Sequence, residues 1–287
     1  MLISVTAPRK GLGQTITAIN IGAMLTKILK NEKIIFVDTN QYCKDIEYYL
    51  SDATFTKGLD EFISLHNSGL LNEESFSSCI KKMKFNIDIM SAHKFYEITE
   101  DNIKALTECA NELYNFTIVD ASSGNNNASE HFFDRSEMIV VVLNPIKGVI
   151  KMVDEIEAYK KHKDKLIFVV NRYVEKMGGV KLEYKIPQIK KELREMGFDS
   201  PVFPLQYDVE LINECNYGAV LNFVLGANFN DINYIFNLEK IVEYALRKHT
   251  KYDVSDVVVR KKKSKALRYF DLIKKYNIKI LRRYFTR

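Results

Sequence analysis

Seven short runs rich in Val, Ile and Phe punctuate the chain, at 2–7, 33–37, 87–90, 116–119, 138–143, 166–170 and 202–205. Each has the length and mainly apolar character of a strand buried on both faces. Longer segments with helical spacing of apolar and polar residues, at 15–30, 99–113, 149–161, 186–196 and 231–248, fall between most of them. Strand and helix in alternation imply right-handed βαβ units. The pattern therefore predicts an α/β fold, doubly wound, with a mainly parallel sheet covered by helices on both faces. The segment 125–127, Asn-Asn-Asn, reads as an exposed loop.

With 287 residues and 46% hydrophobic content, the chain suits one large core of this type. Cys43, Cys79, Cys109 and Cys215 are widely spaced, with no C-x-x-C pair, which argues against a disulfide framework and a zinc site. Met1 runs into the first apolar segment without a basic n-region or a small-residue cleavage site, so no secretory leader is expected. The apolar runs are also well short of the ~20 residues that span a bilayer.

Charge divides the chain. Residues 260–287 hold 12 Lys and Arg against Asp271 alone, whereas the remainder holds 30 bases and 36 acids. Within this tail Ala266, Tyr269, Phe270, Ile273, Tyr276, Ile280, Leu281 and Tyr284 recur at three- and four-residue spacing, with Lys265, Arg268, Lys275, Lys279, Arg282 and Arg283 on the other side. A basic amphipathic helix over 264–287, after a basic linker at 251–263, is the expectation. Its partner would be an anionic membrane surface, with docking on protein or nucleic acid as the alternatives.

Ligands of open parallel sheets sit outside the carboxyl ends of the strands, so the candidate chemistry lies in the loops there. The first strand runs into Ala7-Pro8-Arg9-Lys10-Gly11-Leu12-Gly13-Gln14-Thr15-Ile16 and then a helix. Two glycines between strand and helix let backbone N–H groups turn toward an anion at the helix N-terminus. Alone, the same letters would also serve an ordinary βα turn. The second strand ends Val37-Asp38-Thr39-Asn40, and the fourth ends Val119-Asp120-Ala121-Ser122-Ser123-Gly124. A carboxylate emerging from an apolar strand suits magnesium, though a strand-end aspartate also serves as a turn residue or cap. Later strands lead into Asn171-Arg172 and through Pro204-Leu205-Gln206 to Asp208 and Gly218.

In this order the four segments resemble the deviant Walker A family of ParA and MinD ATPases, whose loop reads K-G-G-x-G-K-T-T. The resemblance implies a P-loop NTPase domain over 1–250. Arg9 stands at the family's signature lysine, Lys10 at the first glycine, and Gly11 and Gly13 at the next two. Gln14 takes the place of the loop lysine, Thr15 is retained, and Ile16 replaces the second threonine. By the resemblance, residues 9–16 would hold ATP and Thr15, Asp38 and Asp120 would hold Mg²⁺. Asp38, Asn40 and Asp120 would serve the attacking water, and Asn171, Arg172, Pro204, Leu205 and Gln206 the adenine end. Asn40 could orient a water but not accept its proton.

The family likeness implies a homodimer and a cytoplasmic protein, peripheral on the inner face of the cell membrane, that places pilus, secretion, septum or flagellar machinery through a protein partner. Loss of the lysine points to ATP binding with weak or absent hydrolysis, as in pilus-assembly members similar to TadZ and CpaE. An active MinD-like ATPase and a ParA-like DNA-partition protein are the other readings.

Overall fold

The computed structural model describes residues 1–40, 45–50, 57–92, 97–124, 126–227 and 233–248. In chain order the elements are β1 (Leu2–Thr6), α1 (Gln14–Ile28), β2 (Ile34–Asp38), α2 (Asp45–Leu50), α3 (Leu59–Asn67), α4 (Glu73–Ser78), β3 (Lys81–Lys82) and β4 (Ile87–Ser91). Then come α5 (Glu100–Leu113), β5 (Phe116–Asp120), α6 (Asn127–Arg135), β6 (Met138–Leu143), α7 (Lys147–Lys151), α8 (Glu157–Lys161) and β7 (Leu166–Tyr173). The chain continues through β8 (Lys176–Met177), β9 (Val180–Lys181), α9 (Ile186–Glu195), β10 (Val202–Gln206), α10 (Val209–Asn216), α11 (Val220–Gly226) and α12 (Asn233–Lys248).

Eight strands form one sheet in the order β10-β7-β6-β1-β5-β2-β4-β3, parallel except for the short edge strand β3. Every residue of β1, β2, β5 and β6 is buried, which is why these strands read as continuous apolar runs. From β1 the chain winds to one side through β2 and β4, returns as β5 beside β1, and then crosses to β6 on the other side. The reversal of winding opens a crevice at the carboxyl end of β1. Residues 1–242 make one unit and 243–287 a second, of which only the end of α12 is described.

Helix α1 fills the crevice side of the core and is buried around most of its circumference. Gly22 allows this close approach, because a Cβ there would lie 2.4 Å from Phe36 Cζ on β2 and 2.9 Å from Ile118 Cδ1 on β5. The buried Asn20 donates from Nδ2 to the Tyr234 hydroxyl at 2.8 Å. Burial raises the Tyr234 phenol well above its usual range, so it stays a neutral partner.

Two expectations need correction. The segment 149–161 is not one helix: α7 gives way to a 3-10 turn at Met152–Glu155, and Ile156 is extended before α8 begins. After Val149, buried residues recur every third position at Ile150, Val153, Ile156 and Tyr159, a repeat that a 3.6-residue helix would rotate off the core. The asparagine loop is also shorter than expected. Asn126 caps α6 by accepting from the Ser129 N–H, and Asn127 is the helix's first residue.

No helix among the described residues is long and apolar enough to cross a membrane. Cys79 is buried and Cys109 and Cys215 are partly so, all three as free thiols; Cys43 lies outside the described residues. The basic segments 251–263 and 264–287 lie outside them too.

Candidate functional site

The loop leaving β1 keeps Arg9, Lys10 and Gly11 exposed and sinks Leu12 into the core. Gly11 and Gly13 take φ values of +83° and +93°, the left-handed region that other residues enter at a penalty of about 1–2 kcal/mol. At Gly13 space is lacking as well, since a Cβ would stand 2.2 Å from Asn171 Nδ2. The Gly13 carbonyl accepts the N–H and the hydroxyl of Thr17, at 3.0 and 2.9 Å, and so closes the first turn of α1. No side chain caps this helix and no acid occupies its first turn. Its leading N–H groups and its positive end are therefore available to an anion.

Behind the loop lies a carboxylate pair. Parallel pairing of β2 with β5 sets Asp38 directly beside Asp120, both fully buried. Thr15 Oγ1 donates to Asp120 Oδ2 at 2.5 Å, while Gln14 Nε2 donates to Asp120 Oδ1 at 3.3 Å and to the Ala121 carbonyl at 3.0 Å. Gln14 is itself buried, and its Oε1 has no hydrogen-bond partner. Asp38 accepts the Asn40 N–H on Oδ1 at 2.9 Å and the Ser91 hydroxyl on Oδ2 at 3.4 Å. The turn after β5 is tied to β1 through Thr6 Oγ1 to the Ser122 carbonyl and Gly124 N–H to the Ala7 carbonyl.

A cavity of about 220 Å³ opens in front of the helix N-terminus. One wall is the loop itself, through Lys10, Gly11, Gly13, Gln14, Thr15 and Ile16; Asn40, Tyr49 and Arg172 complete it. Of the expected ligand-binding residues, Arg9 is exposed outside the cavity. Asn171 also lies outside its lining, where it fastens strand to loop by donating from Nδ2 to the Leu12 carbonyl at 2.9 Å. Pro204, Leu205 and Gln206 sit on the neighbouring strand β10, with Leu205 buried and Gln206 Oε1 accepting from Asn237 Nδ2. Tyr49 was not anticipated. It belongs to a six-residue helix, α2, too short for periodicity to reveal.

The cavity fits a polyphosphate: glycine backbone, an uncapped helix end and two cations converge on it, and no carboxylate lines it. The Thr15 hydroxyl with Asp120 behind it also suits Mg²⁺ that takes its other ligands from phosphate and water. No group of three or more His, Cys, Asp or Glu among the described residues forms a self-sufficient metal cage.

No protein-family profile and no curated protein sequence matches the chain. Solved structures do. A ParA family ATPase from Chlorobium tepidum TLS aligns with a TM-score of 0.68 at 14% identity, over 84% of this chain and 96% of that one. The MinC:MinD cell division protein complex of Aquifex aeolicus aligns at 0.66 and 18% identity, over 85% and 95%. The septum site-determining protein MinD of Pyrococcus horikoshii OT3, complexed with Mg-ADP, aligns at 0.59 and 19% identity, over 85% and 95%. At these identities the likeness establishes the fold, which is that of the ParA and MinD ATPases.

Proposed function

We propose that this chain is a ParA/MinD-like positioning scaffold that binds ATP and turns it over slowly or not at all. The observation that carries the proposal is Gln14. It occupies the place of the loop lysine in a loop that keeps Gly11, Gly13 and Thr15, and its amide is turned back onto Asp120 and Ala121. A neutral amide can donate a hydrogen bond to a phosphate but cannot neutralise the charge that develops on phosphoryl transfer. The backbone N–H groups at the start of α1 would hold the phosphates. Thr15 and Asp120 would hold the Mg²⁺ that screens them, and that ion supplies charge neutralisation when bound. Asn40 would orient a water without accepting its proton, and Asp38, fully buried with both oxygens hydrogen-bonded, is poorly placed to take it.

In the same proposal the protein works as a homodimer, cytoplasmic and peripheral on the inner face of the membrane. The basic segment 264–287 makes the membrane contact, and a protein partner belongs to pilus, secretion, septum or flagellar machinery. The division into a domain at 1–250, a linker at 251–263 and a tail helix belongs to this reading too.

Titration calorimetry with ATP and ADP in the presence of Mg²⁺, paired with a turnover assay, tests it. Binding with turnover near the protein-free rate is expected. Absence of binding to both nucleotides would overturn the reading. Brisk turnover abolished by Asp38→Ala and Asp120→Ala would instead make the chain an active MinD-like ATPase.

A further inference from the structure

We propose that Lys10 and Arg172 together supply the positive charge that Gln14 cannot, so that the polyphosphate of a nucleoside di- or triphosphate is clamped from the loop on one side and from the end of β7 on the other. This rests on the nucleotide-binding reading above and adds which residues make it work.

Strand β7 is irregular at its carboxyl end. Its partner β10 keeps register at Pro204 with Val170 and resumes it at Gln206 with Tyr173, so two residues of β7, Asn171 and Arg172, stand opposite Leu205 alone. Such a bulge re-aims side chains that strict alternation would commit to opposite faces. Arg172 meets it by adopting φ +53°, a left-handed conformation on a side chain that gains nothing locally from it. Held non-glycine residues of this kind concentrate at ligand sites. The result is an exposed guanidinium on the cavity wall while Tyr173 stays buried and the strand's core side is undisturbed.

The bulge is also anchored to the loop it faces. Asn171 donates to the Leu12 carbonyl, and Gly13 has no Cβ because Asn171 occupies that space. Arg172 is thereby carried on the same rigid joint that shapes the phosphate loop, and its planar fork suits phosphate oxygens. Lys10 lines the same cavity from the loop, at a position where the family motif has glycine.

One further feature agrees. The buried Oε1 of Gln14 has no partner, and its residue lines the same cavity. An acceptor there takes a donor from the water that accompanies a hydrated, metal-bound ligand or from a rearranged Lys10, not from the phosphates themselves.

The test is titration calorimetry of the full chain with Mg-ATP, at low and at moderate salt. Arg172→Asn removes the charge with a residue that tolerates φ > 0, and Lys10→Ala removes the other. Each is expected to weaken binding about tenfold and the pair about a hundredfold, with a shallower salt dependence than the parent. Gln14→Lys in the double variant should restore much of the loss, and Lys176→Ala, an exposed cation on β8, should have no effect. Thermal melts confirm that each variant is folded. If the parent binds and the double variant binds equally well with the same salt dependence, the clamp is wrong while the nucleotide reading stands. If the parent does not bind, both fall.

Discussion

At the scale of single residues the site turns on two substitutable atoms. Gln14 Nε2 and Thr15 Oγ1 each donate to one oxygen of Asp120, at 3.3 and 2.5 Å, so two neutral donors meet the carboxylate from the start of α1. Gln14→Lys should tighten ATP binding by roughly tenfold, since a charged donor to phosphate is worth about 1.5–3 kcal/mol against half that for a neutral one. Titration calorimetry reads this directly. Gly13 is the stricter position. Gly13→Ala meets both a left-handed backbone and the Asn171 amide 2.2 Å from the new Cβ, so a loss of about 2 kcal/mol or more in denaturant unfolding is expected, together with lost nucleotide affinity. The loop glycines, the strand-end aspartates and Thr15 at the start of α1 are legible as positions in the sequence, because each marks the end of an apolar strand or the start of the helix after it; their roles come from the resemblance. The resemblance assigns Arg172 to the adenine end; its place on the cavity wall beside the loop is not legible, because a bulge is a property of two strands and Leu205 lies 33 positions beyond it.

At the scale of elements, periodicity succeeded where burial is uniform and misled where it is not. Strand β6 coincides with its expected bounds because all six residues are buried. The broken segment α7 to α8 shows the opposite case: a three-residue repeat of buried side chains resembles a helix in sequence but needs a 3-10 turn to keep every member on the core. Its end carries a pH-sensitive contact. His162 follows α8, is almost wholly buried, and packs edge-on against Phe133 of α6. Burial lowers its pKa, Asp134 at 3.2 Å opposes the shift, Lys165 and Lys161 reinforce it, and Glu130 weakly opposes it. A lowered folded-state pKa means the unfolded chain binds the proton first, so this histidine destabilises the fold as pH falls below the ordinary value of about 6.5. The stability loss between pH 7 and 5 should be smaller in His162→Gln than in the parent, as measured by denaturant midpoints at each pH. Between α1 and α12, Tyr234→Phe would strand the buried Asn20 amide, with an expected loss of about 1–3 kcal/mol in the same measurement.

For the whole molecule, the charge division sets a testable expectation of which surface the chain meets. A tail with 12 bases and one acid, on a remainder with more acids than bases, should bring the chain to anionic vesicles. Co-sedimentation with phosphatidylserine-containing liposomes is expected for the full chain and not for a variant ending at residue 259, with ATP strengthening the association if dimerisation doubles the contact. Salt-sensitive binding to duplex DNA with no liposome binding would select the partition reading instead.

Taken alone, the amino-acid sequence determined the seven parallel strands, the longer helices at 15–30, 99–113 and 186–196 to within a few residues, and which residue types stand at each strand end. These follow from near-neighbour physics: burial period, backbone sterics and capping act over a few residues. What only the tertiary structure decided is who meets whom. Asp38 lies beside Asp120 because β5 returns to pair with both β1 and β2, and Gln14 reaches Asp120 across 106 positions because α1 starts above that seam. Asn171 serves the loop carbonyl of Leu12 and Arg172 turns into the cavity for the same reason. Strand order and register arise from packing the entire core at once, and no local pattern encodes that solution.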